Sequence, residues 1–181
     1  MAGLAEQEFA RRAGELEWLL CDVDGVLTDG GLYYDRRGHG MLRFDARDGL
    51  GLKLAQRAGI RVGILSGRAS AALDHRAQEL GFDAVMSGIA DKASALASFI
   101  AQHGITARQV AFIGDDLPDL VALARCGLSF APSDAAAEVK TVVHRVLEAR
   151  GGHGAVREMA EAILQARGGW DDVFRSFTFD S

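Results

Sequence analysis

The sequence predicts an α/β fold built on a mainly parallel, doubly wound sheet, and three observations lead to that prediction. Short apolar runs rich in Val, Ile and Leu, typical of strands buried on both faces, alternate with segments of helix length. The chain has 22 glycines and only 2 prolines, as expected for many tight turns between strands and helices. Its 181 residues leave room for one core, so we predict a single domain over residues 1–181.

Five apolar runs are predicted to form the strands of this sheet. They lie at residues 18–23, 61–65, 84–87, 110–113 and 128–131. Between them, apolar residues recur at helical spacing, from Leu50 to Ala58, from Leu73 to Leu80 and from Leu96 to Ile100. A glycine is predicted to end the preceding helix at four positions, Gly59, Gly81, Gly104 and Gly127. The repeated strand–helix unit predicts a Rossmann-like arrangement.

One segment interrupts this alternation after the first strand. Residues 31–35 and 40–44 have the pattern of two strands around a glycine-containing turn, which predicts an inserted β-hairpin. Its large apolar residues are Leu32, Tyr33, Tyr34, Leu42 and Phe44. Because an exposed sheet with such side chains marks an interface, we predict that the hairpin 31–44 is an oligomerisation element.

The chain changes character after residue 131. The glycines at 151, 152 and 154 predict a flexible C-terminal arm over residues 151–181. Within the arm, residues 155–166 are expected to form a helix. A tail follows with four aromatic residues, Trp170, Phe174, Phe177 and Phe179.

Composition excludes several classes of function. The net charge is −5, and no cluster of Lys and Arg is long enough to follow a nucleic-acid backbone. No apolar run approaches the roughly 20 residues of a membrane-spanning helix, and residues 1–17 are charged where a secretion signal is apolar. Cys21 and Cys126 lie in apolar stretches and fit reduced core cysteines. We therefore expect a cytoplasmic protein that binds neither nucleic acid nor membranes.

The first candidate site follows the first strand. Asp22 and Asp24 are two positions apart at its end, so their side chains leave the strand on the same side. Two carboxylates so close repel each other unless a cation or a shared proton relieves them. The pair favours a reactive site over the alternative of an ordinary turn rich in Asp and Gly.

Two further candidates follow at later strand ends. Ser66 precedes Gly67 and Arg68 at a predicted helix start, where N–H groups and a guanidinium suit an anion. Ser66 alone also fits a helix N-cap. Lys92 begins a helix, where its charge opposes the helix dipole unless it faces an anion. A solvated surface lysine is the other interpretation.

The last candidate is an acidic cluster after the fourth strand. Asp115, Asp116 and Asp119 offer hard oxygen ligands for Mg²⁺, although Asp116 or Asp119 could instead cap the following helix. Together, the four sites describe phosphoryl transfer. One aspartate attacks phosphorus, and a second protonates the leaving oxygen and later activates water, while Mg²⁺, Ser, Lys and N–H groups hold the phosphoryl oxygens.

These residues resemble, in order and spacing, the four motifs of the haloacid dehalogenase (HAD) superfamily of phosphatases. The resemblance implies that Asp22 is the nucleophile and Asp24 the general acid/base, and that Ser66 and Lys92 hold the phosphoryl group. It also implies that Mg²⁺ is bound by Asp22, by the backbone carbonyl of Asp24 and by Asp115.

The chain has no room for the cap domain that most members of this superfamily carry. The intervals from Asp24 to Ser66 and from Ser66 to Lys92, where caps are inserted, are filled by predicted core elements and the hairpin. An uncapped site either admits macromolecules or borrows a lid from a neighbouring subunit. The apolar hairpin favours the second alternative.

Within the superfamily, the chain is similar to the 3-deoxy-D-manno-octulosonate 8-phosphate (KDO 8-phosphate) phosphatases. The matching stretches are 22–30, 31–34, 44–49, 66–68, 114–117 and 151–158. The resemblance implies an uncapped homotetramer of lipopolysaccharide precursor synthesis, with four hairpins in a central barrel and residues from 151 onward at a neighbouring site. It implies these substrate contacts: Asp24, Asp45, Ala46, Arg47, Asp48, Gly49, Lys53, Gly67, Arg68, Arg76 and Lys92.

Three rival functions remain open at this point. A phosphatase of a nine-carbon sugar acid phosphate (KDN or N-acylneuraminate 9-phosphate) uses the same scaffold, with lysine typical where Arg47 stands. A phospho-accepting receiver domain also places Asp, Ser or Thr, and Lys at strand ends, but it needs a lone acceptor aspartate after the third strand. A catalytically silent relative is disfavoured because all four motifs are intact.

Overall fold

The structure is a computed structural model that describes residues 4–38 and 40–178. His39 of the predicted hairpin turn and Phe179 of the aromatic tail lie outside the described residues. The strands are β1 (Trp18–Cys21), β2 (Tyr33–Tyr34), β3 (Gly40–Met41), β4 (Arg61–Leu65), β5 (Ala84–Met86), β6 (Val110–Ile113), β7 (Leu128–Ala131) and β8 (Arg145–Val146).

The helices fill the intervals between these strands and both ends of the described chain. They are α1 (Glu6–Glu15), α2 (Ala46–Arg57), α3 (Ala71–Leu80), α4 (Lys92–His103), α5 (Leu120–Arg125), α6 (Ala137–Val142), α7 (Ala155–Ala166) and α8 (Trp170–Thr178). Short 3₁₀ turns lie at Ala107–Gln109 and Leu117–Asp119. None of the helices in the described ranges combines the length and apolarity needed to cross a bilayer.

The main sheet has six strands in the order β5-β4-β1-β6-β7-β8, and every neighbouring pair is parallel. Successive side chains of β1 enter different cores because side chains alternate along a strand. Leu19 packs with Phe9 of α1, Leu52 of α2 and Met159 of α7, whereas Leu20 packs with residues of α4 and α5 on the other face. The predicted doubly wound, mainly parallel sheet is therefore confirmed, and no cap domain is evident among the described residues.

The hairpin is shorter than predicted. Its strands pair over two residues each, Tyr33 with Met41 and Tyr34 with Gly40, and Phe44 forms only an isolated bridge with Thr28. A two-stranded ribbon without a core beneath it gains little from longer pairing. Tyr33, Tyr34 and Met41 all stay exposed.

Three of the four predicted helix-ending glycines are confirmed. Gly59, Gly81 and Gly104 have positive φ angles of 81°, 61° and 63° directly after the helical segments. The prediction for Gly127 is wrong, because α5 ends at Arg125 and φ at Gly127 is not positive. A glycine stands there because a Cβ would overlap the carbonyl oxygen of Arg108.

The C-terminal part of the chain differs from a flexible arm in its first residues. Gly151, Gly152 and Gly154 are buried in a turn. Helix α7 spans the predicted residues 155–166 and packs in the core beside α1 and α2. The aromatic tail forms the amphipathic helix α8, which leaves Phe174 and Phe177 exposed.

Candidate active site

The carboxyl ends of β1, β4 and β6 meet at one edge of the sheet because these strands are neighbours and parallel. A cavity of about 750 Å³ opens there. Its walls include Asp22, Asp24, Ser66, Gly67, Arg68, Lys92 and Asp115. The structure thus brings all four sequence motifs into one site.

Asp22 follows β1 directly, and its N–H extends the sheet by donating to the carbonyl of Ile113 at 3.0 Å. Its side chain is 11% exposed, and Oδ2 lies 2.9 Å from Lys92 Nζ. Burial, and then the charge of Asp119, raises the pKa of Asp22 to about 6, against the opposing effect of Lys92. Asp22 is therefore a fixed carboxylate with one oxygen held by an amine.

Lys92 is buried at the first turn of α4, which rules out the alternative of a solvated surface lysine. The N-cap Asp91 accepts hydrogen bonds from the N–H groups of Ala93 and Ser94 and so satisfies this helix end. Lys92 Nζ contacts Asp119 Oδ1 at 2.5 Å as well as Asp22. Burial acts to lower the pKa of Lys92, but the two carboxylates outweigh it and the pKa is raised.

Asp119 belongs to the site, although sequence reasoning left it between a metal ligand and a helix cap. It is 1% exposed, and its Oδ2 accepts hydrogen bonds from the N–H groups of Asp115 and Asp116 at 3.0 and 3.4 Å. Both aspartates also cap the 3₁₀ turn, since Asp116 accepts from the Leu117 N–H at 2.8 Å and Asp119 accepts from the N–H of Asp116, the N-cap residue. The sequence signal that could have assigned Asp119 to the site is its spacing from Asp115. One tight turn between the two residues brings the Asp119 side chain back beside the end of β6.

Three carboxylates of the site form a group suited to a metal ion. Oxygen atoms of Asp22, Asp115 and Asp119 lie within 4.8 Å of one another. Burial, followed by the charges of Asp22, Asp119 and Asp116, raises the pKa of Asp115 to about 7. Because one lysine faces three carboxylates, the group has an excess of negative charge, and its hard oxygen donors are those that Mg²⁺ prefers. The residues present therefore fit Mg²⁺.

Asp24 and Ser66 complete the reactive part of the cavity. Arg68 Nε donates to Asp24 Oδ2 at 2.7 Å, while Asp24 Oδ1 is buried without a hydrogen-bond partner in the described residues. Ser66 is 1% exposed, and its Oγ accepts from the N–H of Arg68 at 3.2 Å, so its hydroxyl is held at the strand end. These two side chains offer a proton-transfer group and a hydroxyl donor beside the buried Asp22.

Seven of the predicted substrate contacts do not line this cavity. They are Asp45, Ala46, Arg47, Asp48, Gly49, Lys53 and Arg76. Asp45 caps α2 by accepting from the Arg47 N–H at 2.8 Å, and Arg76 lies over the Phe44 ring. Lys53 lies near Gly81 at the end of α3.

Asp48 departs most from the predicted role of a substrate contact. It is 1% exposed, and its oxygens accept from the N–H groups of Gly154 at 3.2 Å and Arg157 at 2.9 Å. Because both oxygens are used to cap the start of α7, a substrate has no access to them. Sequence could not show this, since these partners are more than a hundred positions away.

Comparison with known proteins adds a family to this geometry. Residues 32–127 match the haloacid dehalogenase-like hydrolase family. The 3-deoxy-D-manno-octulosonate 8-phosphate phosphatase of Haemophilus influenzae is 48% identical over 153 residues, which cover 84% of this chain and 85% of the relative. The Escherichia coli K12 phosphatase of the same name is 33% identical over 171 residues, with coverage of 94% and 91%.

A solved structure shows the same fold with bound ligands. It is the Moraxella catarrhalis 3-deoxy-D-manno-octulosonate 8-phosphate phosphatase in complex with magnesium ion, phosphate ion and KDO. The TM-score is 0.92 at 36% identity, and the match covers 94% of this chain and 98% of that chain. The chain therefore belongs to the haloacid dehalogenase-like hydrolases, among the relatives of the KDO 8-phosphate phosphatases, and is a phosphoric monoester hydrolase.

Proposed function

We propose that this chain is a Mg²⁺-dependent phosphatase that converts KDO 8-phosphate to KDO and inorganic phosphate in lipopolysaccharide precursor synthesis in the cytoplasm. The observation that carries the proposal is the placement of buried Asp22 at a strand end, 2.9 Å from Lys92 and beside two further carboxylates. The names of the curated relatives and the KDO bound to the Moraxella catarrhalis structure support the choice of substrate.

In the first half of the reaction, a carboxylate oxygen of Asp22 attacks phosphorus and forms an aspartyl phosphate. The bond from phosphorus to the sugar oxygen breaks, and Asp24 gives its proton to that leaving oxygen. Lys92 and the hydroxyl of Ser66 hold phosphoryl oxygens, since both lie on the cavity wall with Asp22. Asp119 keeps the Lys92 ammonium in place through the 2.5 Å contact.

In the second half, Asp24 takes a proton from water as the water oxygen attacks phosphorus. The bond from phosphorus to Asp22 breaks, so phosphate leaves and both aspartates return to their starting states. Asp22, Asp115 and the backbone carbonyl of Asp24 would hold Mg²⁺, with Asp119 beside them. When bound, the ion supplies positive charge to the transferring phosphoryl group.

Substrate recognition within one chain falls to Gly67 and Arg68 at the cavity wall. Arg68 is 41% exposed, so its guanidinium is open to a sugar carboxylate. We assign two of the predicted contacts, Arg47 on α2 and Arg76 on α3, to a substrate held by a neighbouring copy, because they lie outside this chain's cavity.

We further propose that the chain is a homotetramer joined through the hairpin 31–44. Leu32, Tyr33, Tyr34 and Met41 are 51%, 46%, 60% and 57% exposed, which is a large apolar surface for a two-stranded ribbon. Light scattering of Tyr34→Glu against the unchanged chain tests this. A variant that remains a tetramer would contradict the role of the hairpin as the interface. A wild-type chain that is a monomer in solution would refute the tetramer itself.

The substrate is tested by phosphate release from a panel of sugar acid phosphates with Mg²⁺ and with a chelator. We expect the highest kcat/KM for KDO 8-phosphate and no turnover with the chelator. Preference for a nine-carbon sugar acid 9-phosphate would replace the proposed substrate and leave the reaction class intact. Equal rates with and without metal would refute the Mg²⁺ dependence.

A further inference from the structure

A turn of glycines packs against the loop that carries the two reactive aspartates. Residues 151–154 form this turn directly before α7, and Gly151 and Gly152 are buried. The Gly152 N–H donates to the carbonyl of Val26 at 2.8 Å. A Cβ on Gly151 would overlap the carbonyl oxygen of Gly25, and one on Gly152 would overlap the backbone of Thr28. The two backbones thus approach as closely as glycine alone permits.

Gly25 is confined from its other side as well. Its φ angle is +74°, and a Cβ there would overlap the carboxylate of Asp115. Gly25 is therefore enclosed on two sides, at its Cα by a metal-site carboxylate and at its carbonyl, in the peptide that joins it to Val26, by the glycine turn. Because a peptide unit is planar and rigid, the place of Gly25 restricts where Asp24 stands.

The glycine turn is itself fixed by side chains from elsewhere in the chain. Asp134 Oδ1 accepts from the Gly151 N–H at 3.0 Å, and Asp48 Oδ2 accepts from the Gly154 N–H at 3.2 Å. Arg43 Nη1 donates to the carbonyl of Gly152 at 2.7 Å. His153 is engaged as well, since its N–H donates to the carbonyl of Arg150 and its carbonyl accepts from Arg47. With hydrogen bonds at all four of its residues, the turn is a firm support.

We propose that the turn 151–154 is a positioning element of the phosphatase centre. Gly151 and Gly152 are its contact residues, and Asp134 anchors it. It acts through the Gly25 peptide on the place of Asp24. This inference rests on the proposed function, in which Asp24 protonates the leaving oxygen.

The test compares two kinds of phosphate substrate in the variant Gly151→Ala. The sugar oxygen of KDO 8-phosphate needs a proton as it leaves, whereas p-nitrophenyl phosphate and acetyl phosphate have good leaving groups that need none. A displaced Asp24 should lower kcat/KM about 100-fold for the sugar phosphate but only about threefold for the other two, since general acid catalysis contributes about 10² to 10⁴ in rate. The comparison uses kcat/KM because this constant reports the steps up to release of the leaving group, and so leaves out the second half, in which Asp24 acts on water for every substrate.

Gly127→Ala is the matched control. Gly127 is also a buried glycine whose added Cβ would meet a backbone carbonyl oxygen, that of Arg108, but Arg108 does not line the catalytic cavity, whereas the Gly25 that Gly151 meets does. We expect Gly127→Ala to lose thermal stability as Gly151→Ala does while the ratio of the kcat/KM values for the two kinds of substrate stays at the wild-type level. The ratio therefore separates misplacement of Asp24 from general loss of packing.

A milder pair keeps the test decisive if Gly151→Ala folds poorly. Asp134→Ala removes the acceptor for the Gly151 N–H, whereas Arg150→Ala removes only the exposed partner of Asp134. Asp134→Ala should lower kcat/KM about tenfold for the sugar phosphate with little change for the aryl or acyl phosphate, and Arg150→Ala should leave both unchanged.

The outcomes distinguish the positioning role of the turn 151–154 from the proposed function of the chain. Equal losses on both kinds of substrate, or no loss in either Gly151→Ala or Asp134→Ala, would overturn the positioning role alone. A wild-type chain that releases phosphate from none of these substrates would overturn the proposed function and the inference with it.

Discussion

Two groups of buried carboxylates in this chain are satisfied in opposite ways. Asp48 is nearly inaccessible, and each of its oxygens accepts a backbone N–H from the start of α7. Asp22 and Asp115 are also drawn into the protein, but their oxygens lie within 4.8 Å of each other and of Asp119, whose own oxygens already accept from Lys92 and from two backbone N–H groups. Burial raises the pKa of Asp48, Asp22 and Asp115 alike.

The difference in hydrogen-bonding partners distinguishes a buried carboxylate with a structural role from one that is arranged to bind a ligand. Backbone donors that come from a fixed helix end satisfy a carboxylate permanently, so Asp48 joins two parts of the fold. Carboxylates that face each other are held at a cost that only a cation or a proton removes. The cluster around Asp22 is therefore arranged for a ligand, whereas Asp48 is arranged for stability.

The strongest way to break this comparison is Asp22→Asn. The amide keeps the shape of the side chain but cannot attack phosphorus, so kcat should fall at least about 10⁴-fold. The variant should melt at a higher temperature than the wild type without metal at neutral pH, because one of the facing charges is gone. Phosphate release and thermal melting measure the two effects. Activity within tenfold of wild type would refute the nucleophile assignment.

The second test of this comparison is the stability of the metal-free protein as a function of pH. The pKa values of Asp22 and Asp115 are about 6 and about 7 in the folded chain, against an ordinary 3.8. Between pH 3.8 and about 7, the folded state keeps protons that the unfolded state has released. The stabilisation that these two carboxyl groups provide is therefore full below pH 3.8 and is lost as the pH rises toward 7. Chelator-treated protein should therefore lose stability over that range, and Asp115→Asn should lose less.

Adding Mg²⁺ should have the opposite dependence on pH. The ion requires ionised carboxylates, so it should raise the melting temperature more at about pH 8 than at about pH 5. The control is Asp115→Asn, in which the increase should shrink at the higher pH. An equal increase at both pH values would show that the acidic cluster is not where the ion binds.

Asp48→Ala gives a third, smaller effect. It leaves two buried N–H groups without acceptors, so the free energy of unfolding should fall by about 2 kcal/mol in urea titration. The KM for KDO 8-phosphate should stay within about twofold of wild type, since Asp48 has no surface for a substrate. A large rise in KM with unchanged stability would restore Asp48 as a substrate contact.

The smallest effect is expected for an exposed carboxylate. Hydrogen bonds from Arg11 and then Arg12 lower the pKa of Glu8 to about 2 from 4.5, so its contribution is present above pH 4.5 and fades as the pH falls toward 2. Glu8→Gln should barely change the urea midpoint at neutral pH, because solvent screens such pairs. Any difference at low salt should disappear at high salt.

The reactive residues and the sheet were predictable from sequence because they depend on local patterns. Apolar runs gave the strands, and the strand ends placed Asp22, Ser66 and Asp115 at one edge. The positive charge of Lys92 at a helix start opposes the helix dipole, which predicts an anion beside it. The carboxylates of Asp22 and Asp119 are those anions. Each of these inferences uses residues within one strand-and-helix unit.

The remaining features depend on partners distant in sequence. Nothing near Asp48 indicates that Gly154 and Arg157 will meet it, so a family resemblance placed it at the substrate. The same holds for Gly127, whose tight contact is with Arg108. It also holds for Gly151 and Gly152, whose pattern predicts flexibility although they pack tightly against Gly25 and Thr28. A glycine in a sequence does not distinguish freedom from close approach.

The support of the Gly25 peptide by Gly151 also has a consequence for biosynthesis. Both reactive aspartates are synthesised before the turn that packs behind them, and Asp48 and Gly154 are 106 positions apart. Contacts of such long range form late in folding. A nascent chain thus carries the nucleophile before it has the turn that places the proton donor, so the site becomes fully competent only after residues 151–154 have been made and have packed.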